Sequence, residues 1–215
     1  MKQIRLKQTL PQVFANRDSI QSDIWHHDLT FERGKNYLIE AASGTGKSSL
    51  CSYIYGYRKD YEGIISFDGR NVRTLSPAEW VLIHRNNLSI LFQELRIFPE
   101  LTALENVLIK NRLTNFKRKS DIVYMFKKLG IADKMNEKVS CLSYGQQQRV
   151  AFIRSLCQPF DFILLDEPVS HLDNENNLSM ANLLMEETEK QGKAGIITTS
   201  IGKQLHLSYD EILKL

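Results

Sequence analysis

The apolar positions of this chain change their period along its length. Leu29 to Phe31, Asn36 to Ile39 and Ile64 to Phe67 are short apolar runs next to the turn residues Arg33-Gly34 and Asp68-Gly69. Runs of that length, punctuated by glycine, predict β-strands. Lys2 to Leu6 alternates and predicts an edge strand. Leu50 to Tyr55 reads as helix. Ser76-Pro77-Ala78-Glu79 is a capping box with proline at the first helical position, which opens a helix through about Arg85. Leu88 to Phe92 is a short apolar strand ending at Gln93. From about Glu94 to Cys157 the period turns helical, with Leu104, Val107 and Leu108 on one stripe and Ile122, Met125, Phe126 and Leu129 on another.

Phe162-Ile163-Leu164-Leu165 is continuous rather than alternating, as in a parallel strand buried on both faces. Asn174 to Gln191 is helical, Gly195 to Thr198 a second buried strand and Ile212 to Leu215 a last one. Strands alternating with helices predict an α/β fold. Its sheet is mostly parallel and flanked by helices, with an antiparallel β part near the N-terminus and a helical subdomain at about 94–157 inside a single domain, 1–215.

Candidate chemistry concentrates at three strand–loop–helix junctions. The first is Glu40-Ala41-Ala42-Ser43-Gly44-Thr45-Gly46-Lys47-Ser48-Ser49, between the run Tyr37-Leu38-Ile39 and the helix from Leu50. This is the setting of a phosphate-binding loop: glycines let successive N–H groups converge on an anion, and the helix N-terminus adds its positive end. Lys47 is expected at the β- and γ-phosphates of ATP and the Ser48 hydroxyl on Mg²⁺. The motif usually opens on glycine, where this chain has Ala41; the close approach is left to Gly44 and Gly46. The second junction is Asp166-Glu167 at the end of the apolar run, Asp166 suited to the metal and Glu167 to polarising an attacking water. The third is Ser143-Tyr144-Gly145-Gln146, where Ser143 and Gln146 form a capping box and the helix end can meet an anion.

Composition adds bounds. The chain has 215 residues, 42% hydrophobic and 25% charged. That is enough apolar material for a sizeable core. With 28 basic against 25 acidic residues the formal charge is +3, too balanced to indicate a nucleic-acid partner. Cys51, Cys141 and Cys157 lack metal-ligand spacing and read as reduced thiols of a cytosolic protein. No apolar stretch approaches the roughly 20 residues of a membrane span. Met1 to Leu6 has no signal-peptide core, so any membrane crossing is expected from another chain.

Taken in order, these segments resemble the nucleotide-binding subunits of ATP-binding cassette (ABC) transporters over essentially the whole chain. Ala41 to Ser48 resembles the Walker A motif and Phe92-Gln93 the Q-loop. Phe98 to Val107 resembles the segment that follows it. Leu142 to Gln146 resembles the signature motif, Phe162 to Glu167 the Walker B motif, and Ser170-His171-Leu172-Asp173 the D-loop. The resemblance implies an ATPase that uses ATP and Mg²⁺ on the cytoplasmic face of a membrane. Its partners would be a transmembrane permease on a separate chain and a second copy or homologous cassette. It implies that Ser43, Gly44, Thr45, Gly46, Lys47, Ser48 and Ser49 bind ATP. Ser48, Gln93 and Asp166 would serve the metal, and Glu167, Lys47, Gln93 and the residue at 200 the chemistry. Ser143, Gly145 and Gln146 would reach the γ-phosphate held by the other cassette. An aromatic ring upstream usually stacks on adenine, for which Phe14 and then Trp25 are candidates; Phe14 is equally well a core residue. The compact single cassette is similar to the lipoprotein-release, macrolide-export and cell-division subgroup.

Two positions depart from the family. Tyr144 stands where glycine is usual, and Ser200 where a histidine normally contacts the γ-phosphate. Serine lacks the charge and reach of imidazole, so slow hydrolysis is expected; an ATP-driven dimerisation switch with slow or no hydrolysis is the alternative. His171 reads as a surface residue, and His206 lies too far along to substitute. Arg58, Lys59, Arg96 and Lys110 face either a partner or solvent.

Overall fold

The computed structural model describes residues 1–15, 20–42 and 44–215. Its strands are β1 (Gln3–Pro11), β2 (Asp28–Glu32), β3 (Asn36–Glu40), β4 (Tyr61–Phe67), β5 (Arg70–Asn71), β6 (Leu88–Leu91), β7 (Phe162–Asp166), β8 (Gly195–Ser200) and β9 (Glu211–Lys214). Its α-helices are α1 (Lys47–Ile54), α2 (Pro77–Asn86), α3 (Ala103–Asn111), α4 (Lys119–Lys128), α5 (Tyr144–Ser155) and α6 (Asn174–Lys190).

The strands form two sheets. An antiparallel sheet has the order β2-β1-β4-β5, and a parallel sheet the order β6-β7-β8-β3-β9. The alternation in β1 is correct but its expected place at an edge is not: Ile4 sits opposite both Phe31 and Phe67, and β1 pairs on both sides. Its inward residues, Ile4 and Leu6, are fully buried while Gln3 and Arg5 face out. A half-buried interior strand thus carries the same period as an edge strand.

The continuous run in β7 has a structural cause. Phe162 and Leu164 face a core built from β1, β4 and α1; Ile163 and Leu165 face a second core built from α3, α4, α5 and α6. Both faces of the strand are covered, and each of these side chains contributes on the order of 1.5–3 kcal/mol by leaving water. The helical stripes fall on the second core: Val107, Ile122, Met125, Phe126 and Leu129 are buried. Burial raises the Cys51 thiol well above its ordinary value, with the charge of Asp166 adding to it, and pushes Cys157 up to about 12. Neither is a nucleophile at neutral pH, and Cys51, Cys141 and Cys157 are all free. Among the described residues no helix is long and apolar enough to cross a membrane.

The start of α2 closes as its sequence predicts: Ser76 Oγ accepts from the Glu79 amide, and the Glu79 carboxylate accepts from the Ser76 amide. The Arg70 guanidinium, then the Ser76 amide and hydroxyl, draw the Glu79 carboxyl from 4.5 down to about 2. A depressed carboxylate stabilises the fold above its unfolded pKa, and the stabilisation is lost as pH falls through the folded value. Glu79→Gln should therefore flatten the pH dependence of stability between pH 4.5 and about 2, measured by urea unfolding at successive pH values.

Candidate nucleotide-binding site

The loops that follow β3, β7 and β8 emerge at the same, C-terminal, edge of the parallel sheet, where ligands of such sheets bind. A cavity of about 320 Å³ lies there, lined by Val13, Phe14, Gly44, Gly46, Lys47, Ser48, Ser49, Gln93, Glu167 and Ile201. Five segments far apart in sequence thus share one space. Ser43, expected among the ATP-binding residues, lies outside the described residues.

Among the described residues of this loop, contacts hold Ala42, Thr45 and Gly46. Gly44 and Gly46 adopt positive φ, +81° and +104°, which glycine takes at little cost. At Gly46 space is also tight: an added Cβ would lie 3.1 Å from the Trp25 ring and 3.2 Å from the Phe14 ring. Trp25 Nε1 donates to the Thr45 carbonyl at 3.0 Å, and Thr45 Oγ1 donates to the Ala42 carbonyl at 2.9 Å. Lys47 Nζ donates to the Ala42 carbonyl at 2.9 Å and lies 3.8 Å from Glu167 Oε1. Ser48 Oγ donates to Gln93 Oε1 at 3.2 Å.

Asp166 and Glu167 are placed by β8. Thr199 Oγ1 donates to Asp166 Oδ1 at 2.6 Å in a buried setting, and the Glu167 amide donates to the Thr199 carbonyl at 3.2 Å. Glu167 is left-handed, with φ +52°. That conformation costs a non-glycine residue on the order of 1–3 kcal/mol. The turn is retained by the Thr199 bond and by Gln148 Nε2, which donates to the Glu167 carbonyl at 3.3 Å.

Not every expected residue meets the cavity. Trp25 is only 1% exposed and packs beneath the loop, so it offers no face to an adenine ring and is corrected to a support. Phe14 lines the cavity but is 5% exposed, whereas its neighbour Val13 is 64% exposed there; a search confined to aromatics misses it. Ser200, expected to face phosphate, does not. It is 2% exposed, its hydroxyl donates to the Lys203 carbonyl at 2.7 Å, and the residue that reaches the cavity is Ile201. The Ser200 carbonyl in turn accepts from the Ala41 amide at 3.2 Å, which ties the two loops.

Ser143, Gly145 and Gln146 do not line this cavity. Ser143 caps α5 and closes the expected box with Gln146, leaving the helix N-terminus at the surface. Gly145 packs where a Cβ would come 3.2 Å from Leu172, so the capped end rests on the loop after β7. Thr199, Gln148 and Ile201 escape a reading of the sequence because none carries a motif; only the sheet order brings them to the site.

As a donor set for Mg²⁺, the residues fit. Ser48 Oγ and Gln93 Oε1 are hard oxygen donors 3.2 Å apart. Adjacent ligands of an octahedral ion bound at about 2.0–2.1 Å lie roughly 3 Å from each other, a close match. Among the described residues no group of three or more His, Cys, Asp or Glu side chains could hold a metal ion.

A strand–glycine loop–helix carrying Gly44-Thr45-Gly46-Lys47-Ser48, with an acidic pair at the end of a parallel strand, defines a P-loop nucleotide-binding protein. The sequence model of the family described as "ABC transporter" matches residues 25–170. The chain is 36% identical over 177 residues to the uncharacterized ABC transporter ATP-binding protein YclH of Bacillus subtilis, covering 80% of this chain and 76% of that one. It is 30% identical over 202 residues to the macrolide export ATP-binding/permease protein MacB of Escherichia coli, covering 93% of this chain but 31% of MacB. Its fold matches the dimeric structure of MJ0796, a bacterial ABC transporter cassette, with a TM-score of 0.75, 29% identity and coverage of 91% and 87% of the two chains. The same cassette has been solved as a dimer in a post-hydrolysis state bound to ADP and Pi. The chain belongs to the ABC transporter family, as its ATP-binding and ATP-hydrolysing cassette.

The Thr199–Asp166 bond is directly testable. Thr199→Val keeps the shape but leaves a buried carboxylate oxygen without its donor, which costs about 1–3 kcal/mol. Chemical denaturation should show a loss of that size, and ATPase assays a fall in activity.

Proposed function

We propose that this cassette powers a transporter or transporter-like membrane machine whose membrane-crossing part is a separate chain, and that it works as a head-to-tail pair on the cytoplasmic face. The observation that carries the reading is the convergence of Lys47, Ser48, Gln93 and Glu167 on one cavity, with Lys47 Nζ 3.8 Å from Glu167 Oε1. We take the whole chain as one ATPase domain with a helical subdomain at about 94–157.

In this reading the amides of Gly44, Thr45, Gly46, Lys47, Ser48 and Ser49 cradle the phosphates of ATP, and Ser43 completes the loop. Lys47 neutralises charge that develops as the bond to the γ-phosphorus breaks. Ser48 and Gln93 would hold the metal, and Asp166, fixed by Thr199, would add its carboxylate to that side of the site. Mg²⁺, when bound, spreads the phosphate charge. The Glu167 carboxylate orients a water for attack on the γ-phosphorus and takes its proton, while ADP leaves with the bridging oxygen. Val13 and Phe14 offer the apolar surface nearest to an adenine. Ser143, Gly145 and Gln146, exposed at the capped end of α5, suit a γ-phosphate presented by a second copy or a homologous cassette. That a solved relative is dimeric, and that MacB joins a cassette to a permease, supports both partners. A groove of about 240 Å³ is walled by Tyr55, Tyr57, Phe92, Arg96, Lys110 and Leu113. Its apolar, aromatic walls suit a segment of the permease. No nucleic-acid partner enters this reading.

The serine at position 200, its hydroxyl engaged by the Lys203 carbonyl, favours slow hydrolysis, and with it the second reading of an ATP-gated dimerisation switch, because it supplies no imidazole. Two variants decide. Glu167→Gln should bind ATP and accumulate as a dimer on light scattering; a variant that stays monomeric at saturating ATP removes the head-to-tail pair. Ser200→His raises steady-state ATPase activity, by up to about 10²-fold, only if the ring leaves the buried place of the Ser200 hydroxyl and supplies a transition-state contact at the cavity. Unchanged turnover would mean that Ser200 does not limit the rate.

A further inference from the structure

Tyr144 has no counterpart in the family's glycine, and its side chain reaches away from the exposed helix end toward its own cavity. The hydroxyl donates to the main-chain carbonyl of Gln93 at 3.2 Å. The ring stands edge-on to His171, centroids 4.6 Å apart and planes at 80°. We propose that Tyr144 is a positioning residue for Gln93: it ties the N-terminal end of α5 to the loops after β6 and β7, and so holds the Gln93 side chain at Ser48.

The loop after Gln93 needs such a tie. Leu95 and Arg96 are both left-handed, φ +58° and +47°, a costly pair for non-glycine residues. α5 grips this loop twice. Tyr144 donates to the Gln93 carbonyl, and Arg154, near the other end of the helix, donates to the Arg96 carbonyl at 2.8 Å and the Leu95 carbonyl at 2.5 Å. Arg96 further lies over the Phe92 ring at 3.9 Å. Gln93 is thus fixed from its main chain, while its side chain meets Ser48 Oγ at 3.2 Å. A glycine at 144 has no atom with which to make either contact, so the tie is a property of this residue rather than of the helix. The His171 contact extends the tie to the loop carrying Ser170 and Asp173, so displacement of α5 displaces both loops together.

This inference rests on Ser48 and Gln93 being the Mg²⁺ side of the site. The test is calorimetric titration of the full chain with a non-hydrolysable ATP analogue, with Mg²⁺ and with EDTA, in wild type, Tyr144→Phe, Gln93→Ala and the double variant. Tyr144→Phe keeps the ring on His171 and removes only the hydroxyl. It should reduce the Mg²⁺-dependent gain in affinity by about three- to tenfold, the worth of one hydrogen bond, and leave the affinity in EDTA unchanged. In the Gln93→Ala background it should have no further effect, which a merely structural role would not produce. Tyr144→Phe with a wild-type or larger Mg²⁺-dependent gain, or an effect that adds in full to that of Gln93→Ala, overturns the assignment. A wild-type chain that binds the analogue under neither condition would instead sink the nucleotide-site reading itself.

Discussion

The site depends on one topological constraint: β8 lies between β3 and β7 in the parallel sheet. The phosphate loop follows β3 and the acidic pair ends β7, so these motifs are two strands apart and cannot meet through the sheet ladder. β8 supplies the bridge in both directions. Its Thr199 hydroxyl binds Asp166, its Thr199 carbonyl receives the Glu167 amide, and its Ser200 carbonyl receives the Ala41 amide. Parallel strands are spaced about 4.8 Å apart, so this arrangement sets the span between Lys47 and Glu167 before any side-chain rotamer is chosen.

Around that bridge the molecule divides its labour by polarity. β7 is buried on both faces and anchors two apolar cores, and the chain turns from hydrocarbon to carboxylate within one peptide at its end. The rigidity of the cores is what allows left-handed backbone to persist at Glu167, Leu95 and Arg96, none of them glycine. In these two loops the left-handed residues find partners on rigid elements: β8 for the Glu167 amide, α5 for the Leu95 and Arg96 carbonyls.

α5 has a second role besides capping. Its N-terminal end stays exposed, while Tyr144 and Arg154 bind the loop that carries Gln93. That loop also borders the groove of Tyr57, Phe92 and Lys110. The exposed helix end, the cavity and the groove are therefore joined through a handful of main-chain carbonyls, and a force on one is felt at the others because the packing between them is dense.

Much of this was legible along the chain, for a physical reason. Strands and helices announce themselves by period, capping boxes at Ser76 and Ser143 by side-chain chemistry, and the phosphate loop by local backbone requirements at Gly44 and Gly46. Each is a property of neighbouring residues. What the sequence by itself determined was thus the α/β class, the order of elements, the family and the phosphate-binding chemistry. Tertiary structure decided the rest. It made β1 an interior strand and Trp25 a support beneath the loop. It turned the Ser200 hydroxyl to Lys203 and brought Val13 and Ile201 into the cavity. It also sent Tyr144 to Gln93, a contact between residues 51 positions apart. Such outcomes follow from strand order and from competition among distant groups for hydrogen bonds and space, neither of which is encoded in a local pattern.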